Sequence, residues 1–462
     1  MAIKKLKMSF FGGAGTVTGA NFLLEDPDSD LKILLDCGLL QGEGSDDEKN
    51  RNPFPYDPKT ITYLFISHTH IDHVGLIPRL VKEGFSGKIY STPPTKEISE
   101  VVLLDSMGIL GKEAKKAGKE PLYAEEDVKR SIELWETFGY HEEYEFPEGF
   151  HLNFRDSGHV LGSAMIEIII NGKKFVYTGD LGNSPSPLLH DTEVIDDATY
   201  LVMESVYGDR NHEPHDVAKN TLEDTIEETV LAGGTLMIPA FSIEKTQEIL
   251  FELKEMVMNG RIPLVRTYLD SPLAIKVTDI YKKYAGDYLN QEASGGDGKL
   301  IKESGLFNFP QLVLTEKTEE SQKIKDYNHP KIIIAGSGMS NGGRIIHHEK
   351  NYLPDRRSAL LLAGYQAVGT PGRLLQEGAK NIKILGENVQ VRARIISVTG
   401  YSAHKGMDDL MDFVANTADS VKLVYVALGE PKSSLHLVQR IRDYLAVDAE
   451  SPQYGETRIL EF

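Results

Sequence analysis

The chain has 462 residues, 40% of them hydrophobic and 26% charged, with a formal net charge of −19. That length exceeds one ordinary core and predicts two or more domains of a soluble globular protein. The single cysteine, Cys37, excludes an intrachain disulfide framework. The acidic balance argues against non-specific nucleic-acid binding, and no run of about 18 apolar residues suggests a membrane span.

In chain order, the start MAIKKLKMSFFGGAG lacks the long apolar region of a signal peptide, and a cytoplasmic location is expected. Short β-rich runs follow between glycine turns: MSFFGG, NFLLED, LKILLDCG, TYLFIS and GKIYST. Residues 95 to 140 read as helical, from Leu103, Leu104, Met107 and Leu110 to Val128, Ile132 and Trp135. Strands return at HLNFRD, AMIEIII and KFVYTGD. Beyond about residue 200, strands alternate with helices: TLMIPA precedes KTQEILFELKEMV, and KIIIAG precedes RIIHHEKNYL. That alternation predicts βα units on a parallel sheet. LVLTEKTEESQ and ASGGDGK read as connections.

The run SHTHIDHVG directly follows the strand-like Tyr63 to Ile66. His68, His70, Asp72 and His73 lie within six positions of it, a spacing that points to metal ligation. Nitrogen and oxygen donors without thiolate suit zinc, with manganese as the alternative. His159 in DSGHVLGSA and Asp180 in VYTGDLG each stand at a strand end. His68, His70 and His159 supply the three protein ligands of a catalytic zinc site, and Asp180 can bridge to a second ion held by Asp72 and His73.

Farther on, Lys331, Arg344, Lys350, Arg356, Arg357 and Arg373 outnumber Glu349 and Asp355, which reads equally as a polyanion-steering patch or a solvated face. The run from Gly336 to Arg344 follows a strand and opens a helix. Its amides, at Gly338, Ser340, Gly342 and Gly343 among others, can cradle a phosphate, with Arg344 adding charge. His404 alone fits a helix start, with Ser402 as cap and Met407, Leu410, Met411 and Val414 as the buried face.

HTHIDH, the later Gly-His and the later aspartate together resemble the metallo-β-lactamase fold, in which Asp36 of LLDCG occupies a position near the metals. MESVYGDR, PAFSIEKTQE, YLDSPLA, GSGMSNGGR, GYQAVGTPGR, YSAH and ALGEP narrow the resemblance to the β-CASP nucleases, across most of the chain. The resemblance implies an α/β fold: a metallo-β-lactamase αββα sandwich, residues 1–205 and 385–462, with an α/β β-CASP domain, 206–384, inserted. It places the active cleft at the domain interface.

The resemblance further implies hydrolysis of single-stranded RNA by metal-activated water. One or two zinc ions would be held by His68, His70, Asp72, His73, His159 and Asp180. Asp72, Asp180, Glu204 and His404 are the expected catalytic residues, with Glu204 orienting His404. Ser242, Lys245, Ser271 and the Gly-rich run are expected phosphate contacts. A homodimer and a protein partner are both compatible with this reading.

Two positions depart from the family pattern. Glu244-Lys245 stands where Gly-Arg is usual, and Leu428 in VYVALGEP stands where a histidine usually ligates the second ion. The first metal site is therefore expected intact and the second weakened or empty, with His436 the remaining nearby imidazole. A catalytically degenerate RNA- or partner-binding relative and a hydrolase of a small ester, lactone or thioester are the other classes.

Overall fold

Alternation of side chains along the strands sorts the first part of the chain into layers. In Asn21–Glu25, Phe22 and Leu24 enter one apolar cluster and Leu23 another; in Lys32–Leu35, Ile33 and Leu35 separate from Leu34 in the same way. A period of two puts successive side chains on opposite faces, so both faces of this sheet are buried. The structure, a computed structural model, describes residues 3–41, 46–294, 305–367 and 369–462.

Contacts divide the chain into two units: Met1–Ser186, His190–Asn211 and His404–Phe462 form the first, and Pro187–Leu189 with His212–Ala403 the second. The first contains two seven-stranded sheets. Their inner faces share one cluster that joins Phe10, Phe22 and Phe65 to Phe154, Ile166, Phe175 and Tyr177. Helices Ile77–Lys82, Pro93–Ala117 and Glu125–Glu133 cover the outside of one sheet through Leu80, Leu103 and Val128. Met407–Asn416 and Pro431–Leu445 cover the other through Leu410, Val414, Leu437 and Ile441. This is the expected αββα sandwich. Trp135, read as helical, instead opens the strand Trp135–Thr137, where its ring is buried and its indole N–H donates to the Ser91 hydroxyl at 2.8 Å.

The second unit is built on a six-stranded parallel sheet. Thr235–Pro239, Lys331–Ala335 and Ala359–Ala363 are buried at every position, as expected of parallel strands covered on both faces. LVLTEKTEESQ, read as a connection, supplies the strand Leu312–Leu314 and the helix Thr318–Lys323. Of ASGGDGK, residues 295–299 lie outside the described residues. Arg394–Val398 pairs in register with Ala359–Ala363, which keeps it in the inserted sheet. The chain accordingly returns to the first unit at His404 and leaves it after Asn211, both later than the expected 385 and 205.

Candidate metal centre and its surroundings

The metal-type residues of the first unit follow strands. Asp36 follows Lys32–Leu35, His68 and His70 follow Tyr63–Phe65, Asp180 follows Lys173–Tyr177, and Glu204 follows Tyr200–Met203. His159 lies in the turn between the antiparallel strands His151–Asp156 and Ala164–Ile170. Asp72 and His73 occupy the single helical turn Ile71–Val74. That turn approaches the chain so closely that a Cβ on Gly38 would fall 1.5 Å from the Asp72 carbonyl oxygen, which leaves room for glycine alone.

His70 Nδ1 lies 3.1 Å from His68 Nε2 and 3.2 Å from His159 Nε2. Asp180 Oδ2 lies 3.5 Å from His68 Nε2 and 3.6 Å from His159 Nε2. One donor atom from each of these four residues falls within 4.8 Å of all the others. Burial lowers the pKa of His68 well below the ordinary value and that of His70 to about 4, so both rings present neutral lone pairs. This donor set fits a cation of the zinc type.

His73 closes the other side. Its Nδ1 is 2.7 Å from Asp36 Oδ2. Its Nε2 is buried without a hydrogen-bond partner, 3.5 Å from Asp180 Oδ2. An orphaned buried imidazole nitrogen beside a carboxylate is costly unless something binds it, and a cation would do so. Burial opposes the charged form of His73, but Asp180 and Asp36 carry its pKa well above the usual value. Burial pushes Asp72 up to about 6.

Asp36 is the hub of this side. Its backbone is left-handed, φ 56°, a conformation an aspartate tolerates. The carboxylate accepts from Ser67 N at 2.8 Å, from the Ser67 hydroxyl at 2.7 Å and from the Tyr177 hydroxyl at 2.7 Å. Such a carboxylate fixes the tautomer and orientation of the imidazole it holds. Sequence reading missed Ser67 and Tyr177 because Tyr177 shares the inward face of its strand with Phe175 and reads as core.

Glu204 is fully buried. Its Oε1 accepts from Leu181 N at 2.6 Å and lies 3.2 Å from His404 Nδ1. The His404 ring centre is 4.7 Å from that of His159, and donor atoms of Asp180, Glu204 and His404 lie within 4.8 Å of one another. Burial works against a charged His404, but Glu204 raises its pKa to about 9; burial raises Glu204 itself. Ser402 is not the helix cap that the isolated sequence suggests: Met407–Asn416 begins after Gly406.

Leu428 is fully buried in the inter-sheet cluster with Phe22, Tyr177 and Ala427. A Cβ on Gly13 would meet Leu428 Cδ2 at 2.5 Å, so the leucine packs flush against that glycine. His436 does not take its place. It lies on the exposed side of Pro431–Leu445, with Nδ1 3.0 Å from the Gly208 carbonyl.

The expected phosphate contacts of the second unit divide. Ser242 and Ser271 come together, their hydroxyls 3.4 Å apart. Gly338, Gly342 and Gly343 lie in the turn after Lys331–Ala335, as expected. Three charged or polar members instead turn inward. Arg344 donates to Asp270 at 2.7 Å and to the carbonyls of Thr315 and Glu316. Ser340 is buried against Glu349. Lys245 is buried, pairs with Glu248 and lies 5.2 Å over the Tyr401 ring.

Members of the basic run are paired at the surface or buried. Lys350 pairs with Glu387, Arg357 with Asp355 and Arg373 with Glu377, while Lys331 is buried over Tyr352. Glu244 explains its own departure from glycine: it stands at φ 61°, ψ −60°, a glycine-type conformation, and its carboxylate accepts from the Tyr281 hydroxyl at 2.5 Å.

A two-sheet sandwich with histidines and aspartates gathered after its strands defines the metallo-β-lactamase class. A metallo-beta-lactamase superfamily domain matches residues 23–207, a Beta-Casp domain 246–375 and a Zn-dependent metallo-hydrolase RNA specificity domain 388–452. The chain is 34% identical over 409 residues to a ribonuclease of Thermus thermophilus, covering 87% of this chain and 89% of that one. It is 32% identical to an RNase J-like protein of Methanocaldococcus jannaschii (92% and 93% covered) and 31% identical to the transcription termination factor FttA of Methanosarcina mazei (98% and 71%). The chain belongs to the β-CASP family of metallo-β-lactamase-fold nucleases. A crystal structure of a protein of unknown function from Enterococcus faecalis V583 matches over 99% of this chain and 100% of that one, with a TM-score of 0.55 at 14% identity, a likeness of fold alone.

Proposed function

We propose that this protein is a metal-dependent ribonuclease that hydrolyses phosphodiester bonds of single-stranded RNA. The observation that carries the reading is the convergence of His68, His70, His159 and Asp180 beside the His404–Glu204 pair. His68 Nε2, His70 Nδ1, His159 Nε2 and Asp180 Oδ2 would hold the first ion, with zinc favoured by the donor set. A divalent ion supplies a Lewis acid and a water of lowered pKa.

The chain's own residues do the rest. Glu204, held by the Leu181 amide, keeps the His404 Nδ1 proton on its own side. That leaves His404 Nε2 to pass a proton to the leaving oxygen. Asp36, through His73 Nδ1, turns His73 Nε2 toward Asp180. Asp72, His73 and Asp180 would form the second ion site. Leu428 lacks the lone pair that a histidine would add there, and we place the weaker occupancy at that ion.

The presence of His68, His70, His159, Asp180, Glu204 and His404 disfavours a catalytically degenerate relative. The β-CASP and RNA-specificity matches disfavour a hydrolase of small esters, lactones or thioesters. The test is cleavage of end-labelled single-stranded RNA by the metal-loaded protein, with a lactone and a thioester in parallel. RNA cleavage lost in His68→Ala is expected. Cleavage unchanged in that variant, or RNA untouched while a small ester is hydrolysed, would sink the proposal.

A further inference from the structure

The strands Thr235–Pro239 and Lys331–Ala335 run parallel with Pro239 opposite Ala335, and Ala240 N donates to the Ala335 carbonyl at 3.0 Å. The turns that leave them, residues 240–242 and 336–338, therefore emerge side by side at the carboxyl edge of the sheet. Parallel α/β sheets bind ligands at that edge.

Phe241 stands on the first turn with 41% of its surface exposed, the one exposed phenylalanine among the described residues. A Cβ on Gly338 would meet three consecutive ring carbons of Phe241, at 2.8, 2.9 and 3.1 Å. Near-equal distances to adjacent carbons mean a ring lying flat over the glycine, since an edge-on approach would single out one carbon. The backbone of Gly338 thus supports one face of the ring, and the exposed surface belongs to the rest of it. A phenyl ring left in water forfeits its own burial, so folding alone does not account for phenylalanine here.

Its surroundings name the occupant. Ser242, the next residue, has its hydroxyl 3.4 Å from that of Ser271. A Cβ on Gly336 would lie 3.7 Å from each of these oxygens, so the missing side chain leaves a small notch beside both hydroxyls, of which Ser271 Oγ also accepts from Ala274 N at 3.2 Å. Two hydroxyls beside a flat apolar ring match a nucleotide, with the phosphate in the notch and the base on the ring. The nearby charges are committed to internal partners, Arg344 to Asp270 and Lys245 to Glu248. Stacking needs no charge and tolerates every base.

We infer that Phe241 is a stacking platform for one base of the bound RNA, with Ser242, Ser271 and Gly336 forming the adjoining phosphate notch. The inference rests on the ribonuclease reading and deepens it. Phe241 is then a positioning residue: it sets which nucleotide is held, not the chemistry.

The experiment is steady-state cleavage of single-stranded oligoribonucleotides by the metal-loaded full chain, with an abasic nucleotide moved along the RNA. Phe241→Ala is expected to raise KM about ten-fold with kcat nearly unchanged. Phe241→Tyr and Phe241→Trp should retain the wild-type KM, whereas Phe241→Leu, apolar without a π face, should resemble alanine. For the wild type one abasic position should carry the same KM penalty, and Phe241→Ala should be blind to it. Leucine as effective as phenylalanine, or an abasic profile unchanged by Phe241→Ala, would overturn the inference while leaving ribonuclease activity in place.

If the wild type cleaves no RNA, the ribonuclease reading falls, and the platform is read by fluorescence. Trp135, the chain's single tryptophan, is buried, so Phe241→Trp adds a solvent-facing reporter. Quenching by an oligoribonucleotide but not by inorganic phosphate supports stacking, and no quenching by a bound oligoribonucleotide rejects it.

Discussion

The histidine corner of the first unit and the Gly-rich region of the second carry similar sequence signals, polar residues packed after strands, and use them in opposite ways. In the first, four donor atoms converge and His73 Nε2 is left without a hydrogen-bond partner. In the second, Asp270 accepts from Arg344, His348, Ser321 and Thr315, and Ser340 is spent on Glu349. Asp270 is satisfied by internal donors on both oxygens, whereas the donor atoms of His68, His70, His159 and Asp180 converge on one another. Proximity in sequence does not separate the two cases.

The largest effect that sharpens this contrast is His68→Ala. It should cost more than roughly a thousand-fold in RNA cleavage and remove bound metal, read by elemental analysis, with little loss of metal-free stability. Within the fold His68 gives up a contact, Nδ1 to the Ser67 hydroxyl at 3.1 Å, so the expected loss falls chiefly on the ion. A variant that keeps its metal would break the comparison from the ligand side.

Asp270→Asn should do the reverse: destabilise by about 3 kcal/mol in denaturant unfolding, because Arg344 loses a buried counter-charge, while the metal content stays unchanged. It also carries a pH signature. Burial alone would raise the Asp270 pKa, but His348, Ser321, Thr315 and Arg344 bring it down to about 2 in the folded protein. A depressed folded pKa contributes stability that is complete above the unfolded value of about 4 and lost as pH falls through about 2. The stability gap between wild type and Asp270→Asn should therefore narrow from pH 5 to pH 2; a constant gap would reject the assignment.

Leu428→His tests the boundary between the two behaviours. It should cost about 2 kcal/mol of stability as a polar ring entering an apolar cluster, and raise the metal content per chain. Unchanged metal content would mean that the pocket is closed around the leucine and Gly13. Tyr177→Phe is the mildest change. Losing one of the bonds on the buried Asp36 should cost about 1 kcal/mol and weaken metal binding about ten-fold through His73. Unaltered affinity in a metal titration would make Tyr177 a core residue only.

From the sequence alone came the βα units on a parallel sheet and a histidine-rich motif of metal-ligand type, while the sandwich and its inserted unit were implied by the resemblance to the β-CASP family. The βα units and the histidine motif rest on strand–helix succession and on spacing, local patterns that survive translation into structure. Residues at strand ends were legible for the same reason, since the chemistry stands where strands stop. The tertiary structure decided what locality cannot express. Arg344 carries the charge a phosphate would need, yet a long-range partner, Asp270, claims it, and Lys245 is held by Glu248 and lies over the distant Tyr401 ring. Tyr177 reads as core from its strand and becomes a hydrogen-bond donor to Asp36, 141 positions away. Arg394–Val398 belongs to the second unit through its pairing with Ala359–Ala363, not through its own composition. For the side chains the reason is burial: a polar group removed from water must be satisfied by whatever the fold brings to it, and only the fold determines which group that is.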